Sequence, residues 1–129
     1  MKILLTGKNG QVGFALNKKL TSLDHVIATD RETLDLRNPD TIQVFVDKIK
    51  PDMIINTAAY AQVDQAEREP ELAYKTNTVA PKILAEKAFE LEPKREETLI
   101  VLSGIYYSLN EFDKSKAYQQ MLDDLRKQK

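Results

Sequence analysis

The chain has 129 residues, 42% of them hydrophobic, which suffices for one small domain, or one domain with an appendage, and a modest core. With 19 basic and 20 acidic side chains the net charge is -1, so the composition excludes a strongly basic surface for nucleic acid or an anionic membrane. The absence of cysteine excludes disulfides, thiolate metal sites and cysteine nucleophiles. Without a leader-like or membrane-spanning apolar run, a cytoplasmic location is expected.

The first thirteen residues predict a strand, a tight turn and the start of a helix. An apolar run at 2–6 leads into Gly7, Gly10 and Gly13, and helical spacing continues over 11–20. In this pattern the first glycine permits a sharp turn, the second lets backbone approach a pyrophosphate, and the third lets the helix pack closely on the sheet. Three glycines in an ordinary strand-to-helix loop are the alternative interpretation.

The second predicted strand, residues 25–30, supports the nucleotide interpretation. It ends in Asp30, which follows Gly7 by 23 positions, where this fold places an acid to receive ribose hydroxyls. His25, the single histidine, begins the strand and is expected at the surface without a chemical role. A dinucleotide site is therefore predicted at the glycine turn.

A second strand-helix-strand unit follows. Asn38 and Pro39 are typical of a helix cap and first turn, apolar residues recur at helical spacing up to 49, and Pro51 ends the pattern. The apolar run at 52–57 predicts a third strand covered on both faces. We expect a doubly wound parallel sheet with the spatial order third, second, first strand, and ligands at the carboxyl ends of its strands.

The sequence resembles the dTDP-4-dehydrorhamnose reductases, within the extended short-chain dehydrogenase/reductase group. The resemblance covers residues 1–86. It rests on KILLTGKNGQVGF (2–14), VIATDR (26–31), LDLRNPD (34–40), KPDMIINTAAY (50–60), VDQAE (63–67), EPELA (69–73), and Asn77 with Ala80 and Pro81.

That resemblance implies reduction of a dTDP-linked 4-keto sugar with NADPH or NADH, the last step toward dTDP-rhamnose for cell-surface polysaccharide. Asp30 favours a free 2′-hydroxyl and Arg31 a 2′-phosphate, so use of both NADP and NAD is expected. By the resemblance, the pyrophosphate is held by Gly7, Gly10, Gln11, Val12 and Gly13, the adenosine ribose by Asp30 and Arg31, the adenine by Asp35 and Leu36, and the nicotinamide half by Ala58, Ala59 and Tyr60.

The chain departs from the family at several positions. Ala15 replaces a glutamate associated with a metal-assisted dimer contact, and Ala61 replaces a threonine after the tyrosine. The sequence contains no Tyr-x-x-x-Lys, the pair that donates the proton in this group, so no catalytic or metal-binding residue is predicted. We therefore expect a truncated cofactor-binding relative without turnover of its own, unless another polypeptide completes the site.

The second half has a different pattern. Residues 88–118 resemble a tetratricopeptide repeat, and apolar spacing predicts two antiparallel helices at 96–109 and 113–127. The alternative makes 98–102 a fourth strand, with Ser103 polarising a carbonyl group. Tyr106, Tyr107 and Tyr118 are expected to be packing residues.

The predicted organisation is a partial Rossmann domain of three strands at 1–86 and a helical hairpin at 87–129. A single repeat cannot bury its own apolar face, which gives an alternative function. In that hypothesis the hairpin binds a protein partner or self-associates through an exposed face of Leu99, Tyr106 and Phe112.

Overall fold

A computed structural model describes residues 1–58 and 69–128. The chain divides into two compact units, Met1–Leu84 and Ala85–Lys129. No helix in the described ranges is both long enough and apolar enough to span a membrane. In chain order the elements are β1 (Lys2–Thr6), α1 (Gln11–Thr21), β2 (His25–Ala28), α2 (Pro39–Ile49), β3 (Met53–Asn56), α3 (Pro70–Tyr74), a π-helical turn (Lys75–Val79), α4 (Ala80–Leu91), α5 (Glu96–Ser108) and α6 (Phe112–Lys127).

The three described strands form one parallel sheet in the order β2-β1-β3. Leu4 at the centre of β1 is in register with Ile27 on one side and Ile54 on the other. The predicted α/β class, a three-stranded parallel sheet of Rossmann type followed by helices, is confirmed.

The predicted strand order was wrong, because β1 and not β2 is central. All residues of β1 after Lys2 are buried, whereas no residue of β2 or β3 is. Each strand carries three consecutive apolar residues, so composition does not mark the central strand. Burial does mark it, because only a strand with a neighbour on both edges and helices on both faces is enclosed along its length. After β2, Leu34 and Leu36 enter the same core as Leu4, and α2 then carries the chain to the opposite side of β1.

Local signals account for α2. The Asn38 side chain accepts a hydrogen bond from the Asp40 N–H at 3.2 Å, and Pro39 occupies the first turn. Ile42 and Val46, one turn apart, are completely buried against β1. Burial of two such side chains contributes about 1.5–3 kcal/mol each.

The second unit contains an antiparallel hairpin of α5 and α6. Arg126 near the end of α6 lies 4.0 Å from Glu96 at the start of α5, and between them Ser115 Oγ donates a 2.8 Å hydrogen bond to the Ser103 carbonyl. The alternative of a strand at 98–102 is wrong, because this segment is helical and buries Leu102 on one side. The tetratricopeptide resemblance stays a prediction.

The face predicted to be exposed on the hairpin requires correction. Leu99 and Tyr106 are buried, and the Tyr106 ring stacks on Tyr118 with centroids 5.6 Å apart. Only Phe112 of the predicted trio is exposed. The exposed apolar side chains of α5 are instead on its other side, at Ile100, Val101 and Tyr107.

Candidate functional site

A cleft of about 560 Å³ opens where the three strands end. Ligand sites of open parallel sheets lie at this edge, and the volume is in the usual range for a small-molecule pocket. Residues that follow each strand line the cleft, together with one from the π-helical turn. The lining residues are Gly7, Asn9, Gly10, Thr29, Asp30, Arg31, Leu34, Asp35, Leu36, Arg37, Thr57, Ala58 and Thr76.

The turn after β1 requires glycine at its first position. Gly7 has a φ of +75°, and a Cβ there would lie 2.6 Å from Thr57 Oγ1 and 2.8 Å from the Ala58 nitrogen. Both the backbone conformation and the contact exclude a side chain. The ends of β1 and β3 thereby approach closely beneath the cleft.

Gly13 and Gly10 have different surroundings. A Cβ on Gly13 would meet the Gly7 carbonyl oxygen at 1.9 Å, whereas a Cβ on Gly10 would meet only that oxygen, at 3.5 Å. Gly13 therefore lets α1 pack on the turn, and Gly10 leaves open space beside the cleft. The close packing at Gly13 is the one that the glycine pattern predicts, whereas the approach of a pyrophosphate to Gly10 stays a prediction.

The N-terminus of α1 has no side-chain cap. The first intrahelical hydrogen bond runs from the Phe14 N–H to the Gly10 carbonyl at 2.9 Å, so the N–H groups of Gln11, Val12 and Gly13 precede it. The first turn carries no acidic side chain. This helix end offers uncompensated donors and the positive end of the dipole to an anion.

Asp30 is held by the turn that follows β2. Its Oδ1 accepts hydrogen bonds from the Thr33 N–H at 3.0 Å, the Thr33 hydroxyl at 2.8 Å and the Glu32 N–H at 3.0 Å. Lys8 Nζ lies 3.8 Å from Oδ2. The Thr33 hydrogen bonds, helped by the Lys8 charge, hold the pKa of Asp30 below its usual value. The carboxylate is therefore ionised at neutral pH and suited to accept hydroxyl donors.

Asp35 pairs with Arg37 on the cleft wall. Arg37 Nε and Nη2 donate to the two carboxylate oxygens, each at 2.9 Å, and the Arg37 N–H donates to Oδ1 at 3.0 Å. The Arg37 hydrogen bonds hold the pKa of Asp35 below its usual value. The two-pronged contact fixes the direction of the carboxylate and places a guanidinium beside the ligand space.

The structure brings most of the predicted residues together. Gln11, Val12 and Gly13 are not lining residues but form the first turn of α1 beside the cleft. Ala59 and Tyr60 lie outside the described residues, so their assignment to the nicotinamide half stays a prediction. The predicted residues that do line the cleft are Gly7, Gly10, Asp30, Arg31, Asp35, Leu36 and Ala58.

Sequence reasoning missed six lining residues. Asn9 lies within the glycine turn, and Thr29 and Thr57 are next to predicted positions at the strand ends, so their places in the sequence were a usable signal. Leu34 and Arg37 flank the predicted Asp35 and Leu36. Thr76 lies in the π-helical turn, which has no recognisable sequence pattern, and no signal pointed to it.

Comparison with known proteins agrees with this architecture. The chain is 42% identical over 95 residues to dTDP-4-dehydrorhamnose reductase of Escherichia coli, a match that covers 70% of this chain and 32% of the relative. The Burkholderia thailandensis reductase is 44% identical over 85 residues, covering 66% of this chain and 28% of that protein. The chain thus spans about a third of the length of these relatives.

Solved structures match in the same proportion. A dTDP-4-dehydrorhamnose reductase of Clostridium acetobutylicum superposes with a TM-score of 0.66 at 42% identity, covering 70% of this chain and 33% of that one. The Bacillus anthracis reductase, solved in complex with NADP, superposes with a TM-score of 0.63 at 35% identity, covering 70% of this chain and 32% of that one. The family model named RmlD substrate binding domain matches residues 1–120. On this evidence the chain belongs to the RmlD substrate binding domain family, and the predicted resemblance of its first part to dTDP-4-dehydrorhamnose reductases is confirmed.

Proposed function

We propose that the cleft of the first unit binds a nicotinamide dinucleotide, NADP or NAD. The observation that carries this proposal is the convergence, at the ends of three parallel strands, of a glycine turn, an uncapped helix N-terminus and an ionised carboxylate. Each feature suits one part of the ligand. The Bacillus anthracis relative, with 35% identity, was solved in complex with NADP, which supports the choice of ligand.

In this proposal the pyrophosphate lies beside Gly7 and Gly10, and its oxygens accept hydrogen bonds from the N–H groups at the start of α1. Asp30 accepts the adenosine ribose hydroxyls, and Arg31 pairs with a 2′-phosphate when one is present. Leu34 and Leu36, both buried, offer an apolar wall to the adenine beside the Asp35 carboxylate. The nicotinamide half is assigned to Ala58 and, by the family resemblance alone, to Ala59 and Tyr60.

The activity proposed for the protein to which this sequence belongs is that of its relatives, reduction of dTDP-4-dehydrorhamnose. A cytoplasmic location is part of the same proposal, and cell fractionation checks it. Because the 129 residues contain no Tyr-x-x-x-Lys, we expect this chain alone to bind cofactor without turnover. Measurable reduction of the 4-keto sugar by the pure chain would contradict that expectation.

A titration with NADPH and NADH, followed by nicotinamide fluorescence, tests the binding proposal. We expect saturable binding that weakens at least tenfold in Asp30→Ala, since the variant removes a charged hydrogen-bond acceptor. Asp123→Ala, an exposed acid of the hairpin, serves as the control and should bind as the wild type does. Absence of binding up to millimolar cofactor would overturn the proposal.

A second candidate, that the hairpin pairs with another copy of the chain, is favoured by one observation. Residues 98–109 contain no charged side chain, and Ile100, Val101 and Tyr107 are exposed in the described structure. A helix that is apolar on all sides is usually buried on all sides, and a net charge of -1 gives little repulsion between copies. Sedimentation should then show a dimer that Tyr107→Lys converts to a monomer, and a wild-type monomer would exclude the pairing.

A further inference from the structure

Thr76 is a buried residue with an unused hydrogen-bonding group. The residue is 8% exposed, and its Oγ1 has no hydrogen-bond partner among the described residues. Buried hydroxyls are nearly always hydrogen-bonded, because an unmade hydrogen bond there is costly. The same residue lines the cleft, which is the space from which a partner can reach it.

The π-helical turn explains how Thr76 reaches this position. The turn interrupts a continuous helix, since Tyr74 before it and Ala80 after it both have α-helical backbone angles. Single π-helical turns of this kind are frequent at functional sites, because the extra residue redirects side chains without ending the helix. Here Ala80, the first residue after the turn, is fully buried in the core that contains Leu34 and Leu36, and Thr76 lines the cleft together with these two leucines.

The core that Ala80 enters directly after the π-helical turn indicates which part of the ligand Thr76 faces. Leu34 and Leu36 line the cleft from the segment after Asp30, and they share a core with Ala80. This is the wall that the proposed function assigns to the adenosine half. We propose that the Thr76 hydroxyl hydrogen-bonds the adenosine half of the bound dinucleotide and so adds a binding residue to the cleft. The inference rests on the proposed function and deepens it.

A hydroxyl both donates and accepts, so it suits either a ribose oxygen or a ring nitrogen of adenine. Thr76→Val keeps the shape of the side chain and removes only this capacity. Without ligand, the variant should unfold at the same temperature as the wild type or higher, because it replaces an unpaired hydroxyl with a methyl group. A hydroxyl whose role is structural would instead lower the unfolding temperature.

Binding of NADPH and of ADP-ribose, which lacks the nicotinamide ring, is measured for the wild type and two variants. We expect Thr76→Val to weaken both ligands about tenfold, while Thr76→Ser, which keeps the hydroxyl, stays within about twofold of the wild type. In the wild type, the Thr76 amide and methyl NMR signals should shift saturably with ADP-ribose. This last readout requires no variant to fold.

Three outcomes would overturn the inference while leaving the proposed function intact. They are unchanged affinity of Thr76→Val for both ligands, a loss seen with NADPH but not with ADP-ribose, and an equal loss in Thr76→Ser. A wild-type chain that binds neither ligand would overturn the proposed function and, with it, this inference.

Discussion

The carbonyl oxygen of Gly7 lies 1.9 Å from the point where a Cβ on Gly13 would stand. Gly7 directly follows β1 and Gly13 lies in the first turn of α1, so the helix packs against the backbone at the end of the strand with no room for a side chain. Gly13→Ala must therefore move the helix away from the sheet. We expect a loss of about 2–4 kcal/mol in the free energy of unfolding, because the obstacle is backbone that has little freedom to shift.

Urea unfolding, followed at amide NMR signals of β1, measures the Gly13→Ala effect. Gly104→Ala is the matched control, since a Cβ at this helical position meets nothing within 4 Å. Gly104→Ala should leave the free energy of unfolding of the second unit equal to that of the wild type or raise it by about 0.5–1 kcal/mol. Equal stability of Gly13→Ala and the wild type would contradict the close approach.

Gly10→Ser separates binding from folding within the same turn. Gly10 caps α1 with a φ of -78° and a ψ of 169°, which serine adopts without strain, and its Cβ position is open. Serine is a good N-cap, so stability should be unchanged or slightly higher. The new hydroxyl oxygen would accept a hydrogen bond from one of the N–H groups that are proposed to bind the pyrophosphate. We therefore expect nucleotide affinity, measured by fluorescence titration, to fall about tenfold. Undiminished affinity would place the pyrophosphate elsewhere.

Asp30 and Arg31 should set the choice between the two dinucleotides. Asp30→Asn keeps an oxygen for the Thr33 hydrogen bonds but removes the charge that opposes a 2′-phosphate. The ratio of NADPH to NADH affinity should rise about tenfold in this variant and fall about tenfold in Arg31→Ala. Competitive titrations of both ligands measure the ratio. A ratio that changes in the same direction in both variants would refute the assignment.

The Asp35–Arg37 pair gives the first unit an acid dependence. Because Arg37 lowers the pKa of Asp35 in the folded state, the contribution to stability is present above pH 4 and is lost as the pH falls through that lowered value. The pair is partly exposed, so Asp35→Asn should cost about 0.2–1 kcal/mol at pH 6 and much less at pH 2.5. Urea unfolding at the two pH values tests this, and a larger cost at pH 2.5 would contradict the pairing.

Tyr106 gives the hairpin the opposite dependence. Burial, followed by its hydrogen bond to Glu86, raises the pKa of Tyr106 above its usual value of 10.0. Its contribution to stability is therefore complete below pH 10 and is lost as the pH rises above it.

Tyr106→Phe should cost about 1–3 kcal/mol at pH 7, where the hydrogen bond to a carboxylate is lost. Between pH 8 and 12, circular dichroism should also show that Tyr106→Phe loses less helix than the wild type does. Some alkaline loss should remain in the variant, because burial also raises the pKa of Tyr118. Tyr107→Phe is the control because Tyr107 is exposed. An alkaline transition unchanged by Tyr106→Phe would contradict the assignment.

Local patterns in the sequence were sufficient for the helices α1 and α2 and for the hairpin of the second unit. The glycine turn predicted α1, Asn38 and Pro39 predicted the start of α2, and spacing predicted the hairpin. The strand order was missed because apolar content alone does not reveal which strand is central. The chain crosses β1 after Leu34 and Leu36 are buried in the core, and this burial depends on tertiary packing that local patterns do not show. Thr76 was missed for the same reason, since a π-helical turn arises from packing and not from a short motif.

An NMR titration of the isotope-labelled chain with NADPH tests the central claim most directly. The account predicts saturable shifts of the amide signals from Gly7 to Gly13 and from Asp30 to Arg37, with the signals of α5 and α6 unchanged. Absence of shifts at millimolar NADPH, or shifts confined to the hairpin, would show that the cleft at the strand ends is not a dinucleotide site.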